Sequence, residues 1–213
     1  MPQAKGDETN APLRETFSKL FKNRNYSQGV LSQVLYVGAQ IMCWTYIYQY
    51  AEAIGLSSET AANYQFLCFV LFLVGRAIGT YFLRFINAGR LLMLFAVFAA
   101  IASLFTIFIE GAFGLYSLVG ISFFMSLMFP TIYGIALNGL DEEESKIGAA
   151  GLVMAIVGGA LMPKLQGMLI DLGGNGVNDI KVLGVSEVNF SFILPLLCFL
   201  FIAYYGNKIY KQA

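Results

Sequence analysis

The sequence contains no histidine and little charge. Only 12% of its 213 residues are charged, which is about half the share of an ordinary globular protein. Without histidine, a His-ligated metal centre and a nucleophile activated by histidine are both excluded. The 13 basic and 13 acidic residues balance, so no basic excess indicates a nucleic-acid partner. We therefore predict that the protein is not an enzyme and does not bind nucleic acid.

Cysteine is also scarce, and its positions indicate no redox or metal chemistry. Cys43, Cys68 and Cys198 all lie inside apolar stretches, where a cysteine behaves as a small buried hydrophobic residue. We expect no metal and no protein-bound cofactor.

Apolar sequence is abundant instead, at 58% hydrophobic and 15% aromatic residues. A helix that crosses a bilayer needs about 20 mostly apolar residues, and six such stretches occur between short polar or glycine-rich separators. We predict an all-α integral membrane protein with six transmembrane helices that form one bundle over residues 28–206. The predicted helices are 28–54, 61–85, 91–109, 113–138, 147–170 and 190–206.

The polar ends are predicted to lie in the cytoplasm, residues 1–27 as a loop with an amphipathic segment and residues 207–213 as a tail. With both termini inside, the cytoplasmic segments hold ten Lys and Arg residues and the outer loops only Lys181. Since cytoplasmic loops retain positive charge, this asymmetry predicts a multi-pass protein of the cell (inner or plasma) membrane.

The first 27 residues also contain a helical pattern. Leu13, Phe17, Leu20 and Phe21 recur at helical spacing among basic and polar residues. This pattern predicts a short amphipathic helix at the cytoplasmic interface.

The first predicted helix has a polar and aromatic stripe. At about 100° per residue, Gln33, Tyr36, Gln40 and Trp44 converge on one face. Amides can hydrogen-bond to sugar hydroxyls, and aromatic rings stack on the apolar face of a sugar. The alternative is that the two glutamines make hydrogen bonds between helices.

The fourth helix has a comparable face, formed by Ser122, Ser126, Phe129 and Tyr133. Pro130 interrupts it, because a proline leaves one carbonyl without its helical donor and permits a bend. Such bends occur beside the cavities of transporters.

Arg76 lies inside the second helix, beside Gly75 and more than two turns from Arg84. An unpaired charge at the centre of a bilayer costs about 3 kcal/mol, and the sequence contains no obvious intramembrane carboxylate as a partner. Two interpretations stand, a structural latch and a role near a substrate or coupling ion.

The second and fifth helices share a short pattern. Val74–Ile78 echoes Val157–Leu161, which would pair helices one to three with helices four to six. The glycines of the fifth helix also predict close packing on a neighbouring helix.

Several segments together resemble the fucose:proton symporters and related glucose/galactose transporters of the major facilitator superfamily, from about Phe17 to Tyr205. They are Tyr36–Gln40, Cys43–Tyr46, Ala62–Tyr64, Gly75–Arg76, Gly79–Thr80, Pro130–Ile132 and Gly158–Gly159. The resemblance covers only the C-terminal half of a twelve-helix fold, which has a 3+3 inverted repeat.

The resemblance implies proton symport of a monosaccharide, L-fucose or glucose/galactose, by alternating access. The partners it implies are the monosaccharide, membrane lipid and an N-terminal six-helix half. The two proton-coupling carboxylates of the family lie in that half, and no intramembrane Asp or Glu of this sequence replaces them. A truncated or non-transporting membrane bundle that binds other membrane proteins remains the alternative.

The resemblance and the polar stripes together select the candidate site residues. Substrate binding is assigned to Tyr36, Gln40, Trp44, Asn63 and Phe129. Conformational or charge roles are assigned to Arg76, Arg84 and Arg90. Gly79–Arg90 resembles the cytoplasmic glycine and arginine loop of the superfamily, although the acidic residue often found in that loop is missing.

Overall fold

The structure is a computed structural model that describes residues 13–174, 176 and 180–212. Helices dominate the described residues, with one short antiparallel hairpin of strands β1 (Lys181–Val182) and β2 (Val185–Ser186). The helices are α1 (Leu13–Lys22), α2 (Arg24–Thr45), α3 (Ile47–Ala53), α4 (Ser58–Phe82), α5 (Ala88–Phe108), α6 (Ala112–Met125), α7 (Met128–Leu137), α8 (Glu142–Met154), α9 (Gly158–Ile170), α10 (Glu187–Ser191) and α11 (Ile193–Gln212).

Six helical stretches in the described part of the chain are long and apolar enough to cross a membrane, which confirms the predicted fold class. We number them span 1 (Arg24–Ala53), span 2 (Ser58–Phe82), span 3 (Ala88–Phe108), span 4 (Ala112–Leu137), span 5 (Glu142–Ile170) and span 6 (Glu187–Gln212). The ends of the spans differ from those predicted from hydropathy. Span 1 begins at Arg24 instead of residue 28, and span 6 continues to Gln212, past its predicted end at residue 206.

Four spans consist of two helical segments each. Span 1 is interrupted at Tyr46 and span 6 at Phe192, and a 3-10 turn, Ala155–Val157, divides span 5. Span 4 is interrupted just before Pro130. Because proline has no main-chain N–H, the carbonyl four residues earlier loses its helical donor.

The closest helix pairs are related by a simple exchange. Spans 3 and 6 pack together, and spans 1 and 4 pack together. The contact between spans 3 and 4 corresponds to the contact between spans 6 and 1, and the contact between spans 1 and 5 corresponds to the contact between spans 4 and 2. Exchanging spans 1 to 3 with spans 4 to 6 therefore maps each of these pairs onto itself or another. This is the packing expected of a 3+3 repeat.

Two glycines bring helix backbones close together in that packing. A Cβ atom at Gly75 would meet the main-chain oxygen of Phe123, and one at Gly158 would meet the main-chain oxygen of Val34. These glycines occupy matching positions in the short sequence echo between spans 2 and 5. Small residues allow helix backbones to approach this closely in membranes.

The amphipathic helix α1 docks on one end of the bundle. Leu20 is buried against Tyr26 and Leu152, and Lys19 forms an ion pair with Glu144. The apolar residues of α1 do not all share one environment, because Phe17 and Phe21 remain exposed. One side of the helix therefore packs on the bundle, and its aromatic side is exposed.

Spans 2 and 5 form the uncovered side of the bundle. Only 17% and 22% of the residues in their most apolar windows are buried, against 50% to 61% in the other four spans. These two spans also exchange places in the repeat. The bundle thus leaves most residues of one related pair of helices exposed.

Candidate functional site

The predicted residues of spans 1 and 4 meet at a ring contact. Tyr36 is fully buried, and its ring lies 6.0 Å from that of Phe129 in an edge-to-face arrangement. Phe129 follows the interruption of span 4, so the break determines where its ring is presented. The predicted aromatic stripe of span 1 thus lies against the predicted face of span 4.

Trp44 of span 1 contacts both span 4 and span 2. Its indole Nε1 donates a hydrogen bond of 3.2 Å to Ser122 Oγ in span 4. Its ring lies edge-on to Phe69 and Phe72 of span 2, at 5.0 and 5.3 Å between ring centres. These contacts on both sides fix the orientation of the indole ring.

Arg76 binds the carbonyl that the proline releases. Its Nε donates a 3.2 Å hydrogen bond to the main-chain oxygen of Ser126, which lies four residues before Pro130. The guanidinium carbon also lies 5.2 Å from the centre of the Phe72 ring. This contact joins span 2 to the break of span 4. Both interpretations of Arg76, a structural latch and a role near a substrate or coupling ion, stay predictions.

Three polar side chains of span 1 have buried atoms without a hydrogen-bond partner in the described part of the chain. They are Gln33, through both amide atoms, Tyr36, through its hydroxyl, and Gln49, through Oε1. Buried polar groups are normally paired, so unpaired ones mark a place where water or a polar ligand is expected. We call this region, formed by Gln33, Tyr36, Trp44, Arg76 and Phe129, the polar seam.

The other two predicted binding residues lie differently. Gln40 is half-buried on span 1 between Tyr36 and Trp44, so it extends the seam along the same helix. Asn63 is exposed in the second turn of span 2. At 1.5 Å per residue it is roughly 20 Å along the helix from Arg76, and this separates it from the centre of the seam.

The two remaining arginines lie at helix ends. Arg84 is exposed just after span 2, and Arg90 is exposed in the first turn of span 3. The Arg90 guanidinium carbon lies 5.7 Å from the ring centre of Tyr210 in span 6. Arg90 therefore connects the two most closely packed spans.

Sequence reasoning missed a buried carboxylate. Glu187 was placed in the last loop, but it begins span 6 and its side chain is fully buried. Next to it, Asn189 Nδ2 donates hydrogen bonds of 3.2 Å to the Tyr50 hydroxyl and to the Thr106 carbonyl. The Ser186 side chain accepts a hydrogen bond from the main-chain N–H of Asn189. This capping pattern is the signal that could have located the start of the helix.

A cavity also lies beside Asn189 and away from the polar seam. Its volume is about 570 Å³, and Glu110, Lys181 and Asn189 are among its lining residues. None of the predicted binding residues lines it.

The bundle has the fold of one six-helix half of a major facilitator superfamily transporter. The crystal structure of the Escherichia coli fucose:proton symporter matches it with a TM-score of 0.84 and 29% identity, over 96% of this chain and 47% of that chain. A crystal structure of a major facilitator superfamily transporter in the outward conformation matches equally well. No protein-family model matches the chain.

Curated relatives of this chain confirm the resemblance to fucose:proton symporters. The L-fucose-proton symporter of Haemophilus influenzae is 50% identical over 99% of this chain and 48% of its own length. The glucose/galactose transporter of Brucella abortus is 32% identical over 86% of this chain and 42% of its length. The chain thus spans about half the length of the curated relatives it matches, consistent with a C-terminal half. These relatives are named as transporters and not as enzymes, in agreement with the composition.

Proposed function

We propose that this chain is the C-terminal half of a proton-coupled monosaccharide transporter that works by alternating access. The observation that supports this most directly is the polar seam, where buried polar groups without partners adjoin fixed aromatic rings. The names of the relatives favour L-fucose, or glucose and galactose, as the transported sugar. Its coupling ion is then a proton.

The predicted substrate-binding residues have separate chemical roles in this proposal. The Gln40 amide and the Tyr36 hydroxyl hydrogen-bond to sugar hydroxyls, and Trp44 and Phe129 present rings to the apolar face of the sugar. Asn63 contacts the sugar only if the second half brings the substrate toward the outer part of span 2.

An N-terminal six-helix half is the proposed partner. The exposed side of spans 2 and 5 is where such a bundle would pack, because these spans have the fewest protein neighbours within the chain. The substrate would then lie between the two bundles, which rock around it. Arg84 and Arg90, at the helix ends, are assigned to the conformational change, and both termini to the cytoplasmic side of the inner or plasma membrane.

Sugar binding can be measured through the chain's own tryptophan. Trp44 is the only tryptophan of the sequence, so its emission reports on the seam. The chain is combined with the N-terminal half of the Haemophilus influenzae relative, with the tryptophans of that half replaced by phenylalanine, and titrated with L-fucose, galactose and glucose. A saturable emission change with one of these sugars is expected.

A matched pair of variants locates the response. Gln40→Ala should weaken sugar binding severalfold, since an amide that donates and accepts hydrogen bonds is lost. Gln28→Ala is the control, because Gln28 is on the same span but binds Lys208 through a 2.6 Å hydrogen bond away from the seam. Unchanged affinity in Gln40→Ala would remove this residue from the site. If no sugar changes the emission of the unmodified pair, a bundle that binds other membrane proteins becomes the better account.

A further inference from the structure

The position of the Arg76 charge is unusual for an arginine near the end of a membrane helix. Arg76 is six residues from the end of the 25-residue span 2, at Phe82. Arginines in this position normally extend toward the nearer membrane surface. Here the side chain turns the other way, because its guanidinium lies over the ring of Phe72, two residues from the middle of the span.

Packing does not require a charge at this position. In the repeat, the residue that matches Arg76 is Gly159 of span 5, which follows Gly158 as Arg76 follows Gly75. A Cβ atom at Gly159 would have aliphatic atoms of Val37 and Ile41 as its nearest neighbours. The two halves of the bundle are thus built alike around Gly75 and Gly158, and only one of them places a cation beside the seam.

The guanidinium is held on two sides and open on the third. Its Nε is bound to the Ser126 carbonyl and its face covers Phe72. Neither of the two ion pairs found within the described ranges includes Arg76, and the residue is exposed on the least buried span. A guanidinium fixed in this way is preorganised to bind a carboxylate with its two terminal nitrogens.

We propose that Arg76 binds a carboxylate contributed by the opposing bundle that covers span 2. This inference rests on the proposed function, since it needs a second bundle on that face. A charge near the middle of a membrane is normally paired or exposed to water. The pair would join the two bundles beside the polar seam, next to the break of span 4.

Association of the two halves tests this pairing without any sugar. The full chain is produced with the tagged N-terminal half of the Haemophilus influenzae relative, and its recovery with the tag is measured in detergent. We expect recovery to be retained in Arg76→Lys and reduced in Arg76→Gln. In Arg76→Asp the apparent affinity should fall by about tenfold or more, because two carboxylates would then face each other. Lys164→Gln, which removes a charge from exposed span 5, is the matched control and should associate normally.

A charge exchange identifies the partner. Each acidic residue in the spans of the N-terminal half is changed to arginine, and we expect one of these changes to restore association with Arg76→Asp. Equal recovery for all four residues at position 76, or no restoring change, would overturn the pairing. An assembled pair that depends on Arg76 but shows no response of Trp44 to any sugar would instead contradict the proposed function.

Discussion

The closest helix contact of the repeat gives a prediction for span 5. In Gly158→Ala, the new Cβ atom would lie against the main-chain oxygen of Val34, so the two helices must move apart. Overpacking of this kind costs about 1–3 kcal/mol, while alanine in a helix regains about 1 kcal/mol relative to glycine. We expect a net loss of up to about 2 kcal/mol. For a chain of this size that lowers the midpoint of thermal unfolding by about 4–8 °C.

The assay is thermal unfolding of the purified chain in detergent, followed by size-exclusion chromatography of what remains folded. Gly120→Ala is the matched control, because a Cβ atom there would meet nothing within 4 Å, and its midpoint should stay the same or rise by about 2–4 °C. Gly75→Ala should behave like Gly158→Ala if the repeat is correct. A midpoint for Gly158→Ala equal to that of the control would refute the close packing of spans 1 and 5.

Three further changes test single contacts. Trp44→Phe keeps a ring beside span 2 but removes the donor to Ser122, and should lower the free energy of unfolding in detergent by about 0.5–1.5 kcal/mol; an unchanged value would contradict the hydrogen bond. Pro130→Ala restores the missing main-chain N–H of span 4, so amide hydrogen exchange at the break should slow, and unchanged exchange would show that proline does not cause the interruption. A hydrogen bond to Glu144 raises the pKa of Lys19, so the docking of α1 should hold below about pH 10.5 and weaken as the pH rises through the higher folded value. Limited proteolysis before α1 should therefore increase at pH 11 relative to pH 9, and the same increase in Lys19→Gln would assign it to another group.

The spans were predictable because they depend on the chain's local composition. Long apolar stretches between polar separators define six helices whatever they pack against, so the fold class followed from hydropathy. Their ends did not, because a helix can continue into polar sequence when tertiary contacts support it. Span 6 extends to Gln212 in this way, with Lys208 bound to Gln28 of span 1.

The site was predictable only in part. Helical periodicity placed Tyr36, Gln40 and Trp44 on one face. The missing main-chain N–H of proline indicated that Pro130 would free a carbonyl. Neither could show that Arg76 binds that carbonyl, since the contact joins residues 50 positions apart. Glu187 was assigned to a loop because its neighbours are polar, and its burial depends on the packing of span 6 against the other helices.

The central claim is that this chain supplies the C-terminal half of a proton-coupled sugar transporter. The most direct test is uptake of labelled L-fucose, galactose and glucose into proteoliposomes, with and without an inward proton gradient. One preparation contains the chain alone and the other contains the chain with the N-terminal half of the Haemophilus influenzae relative. We predict gradient-driven uptake of at least one sugar only when both halves are present. Uptake that is absent from both preparations, or that ignores the gradient in the assembled pair, would contradict the account.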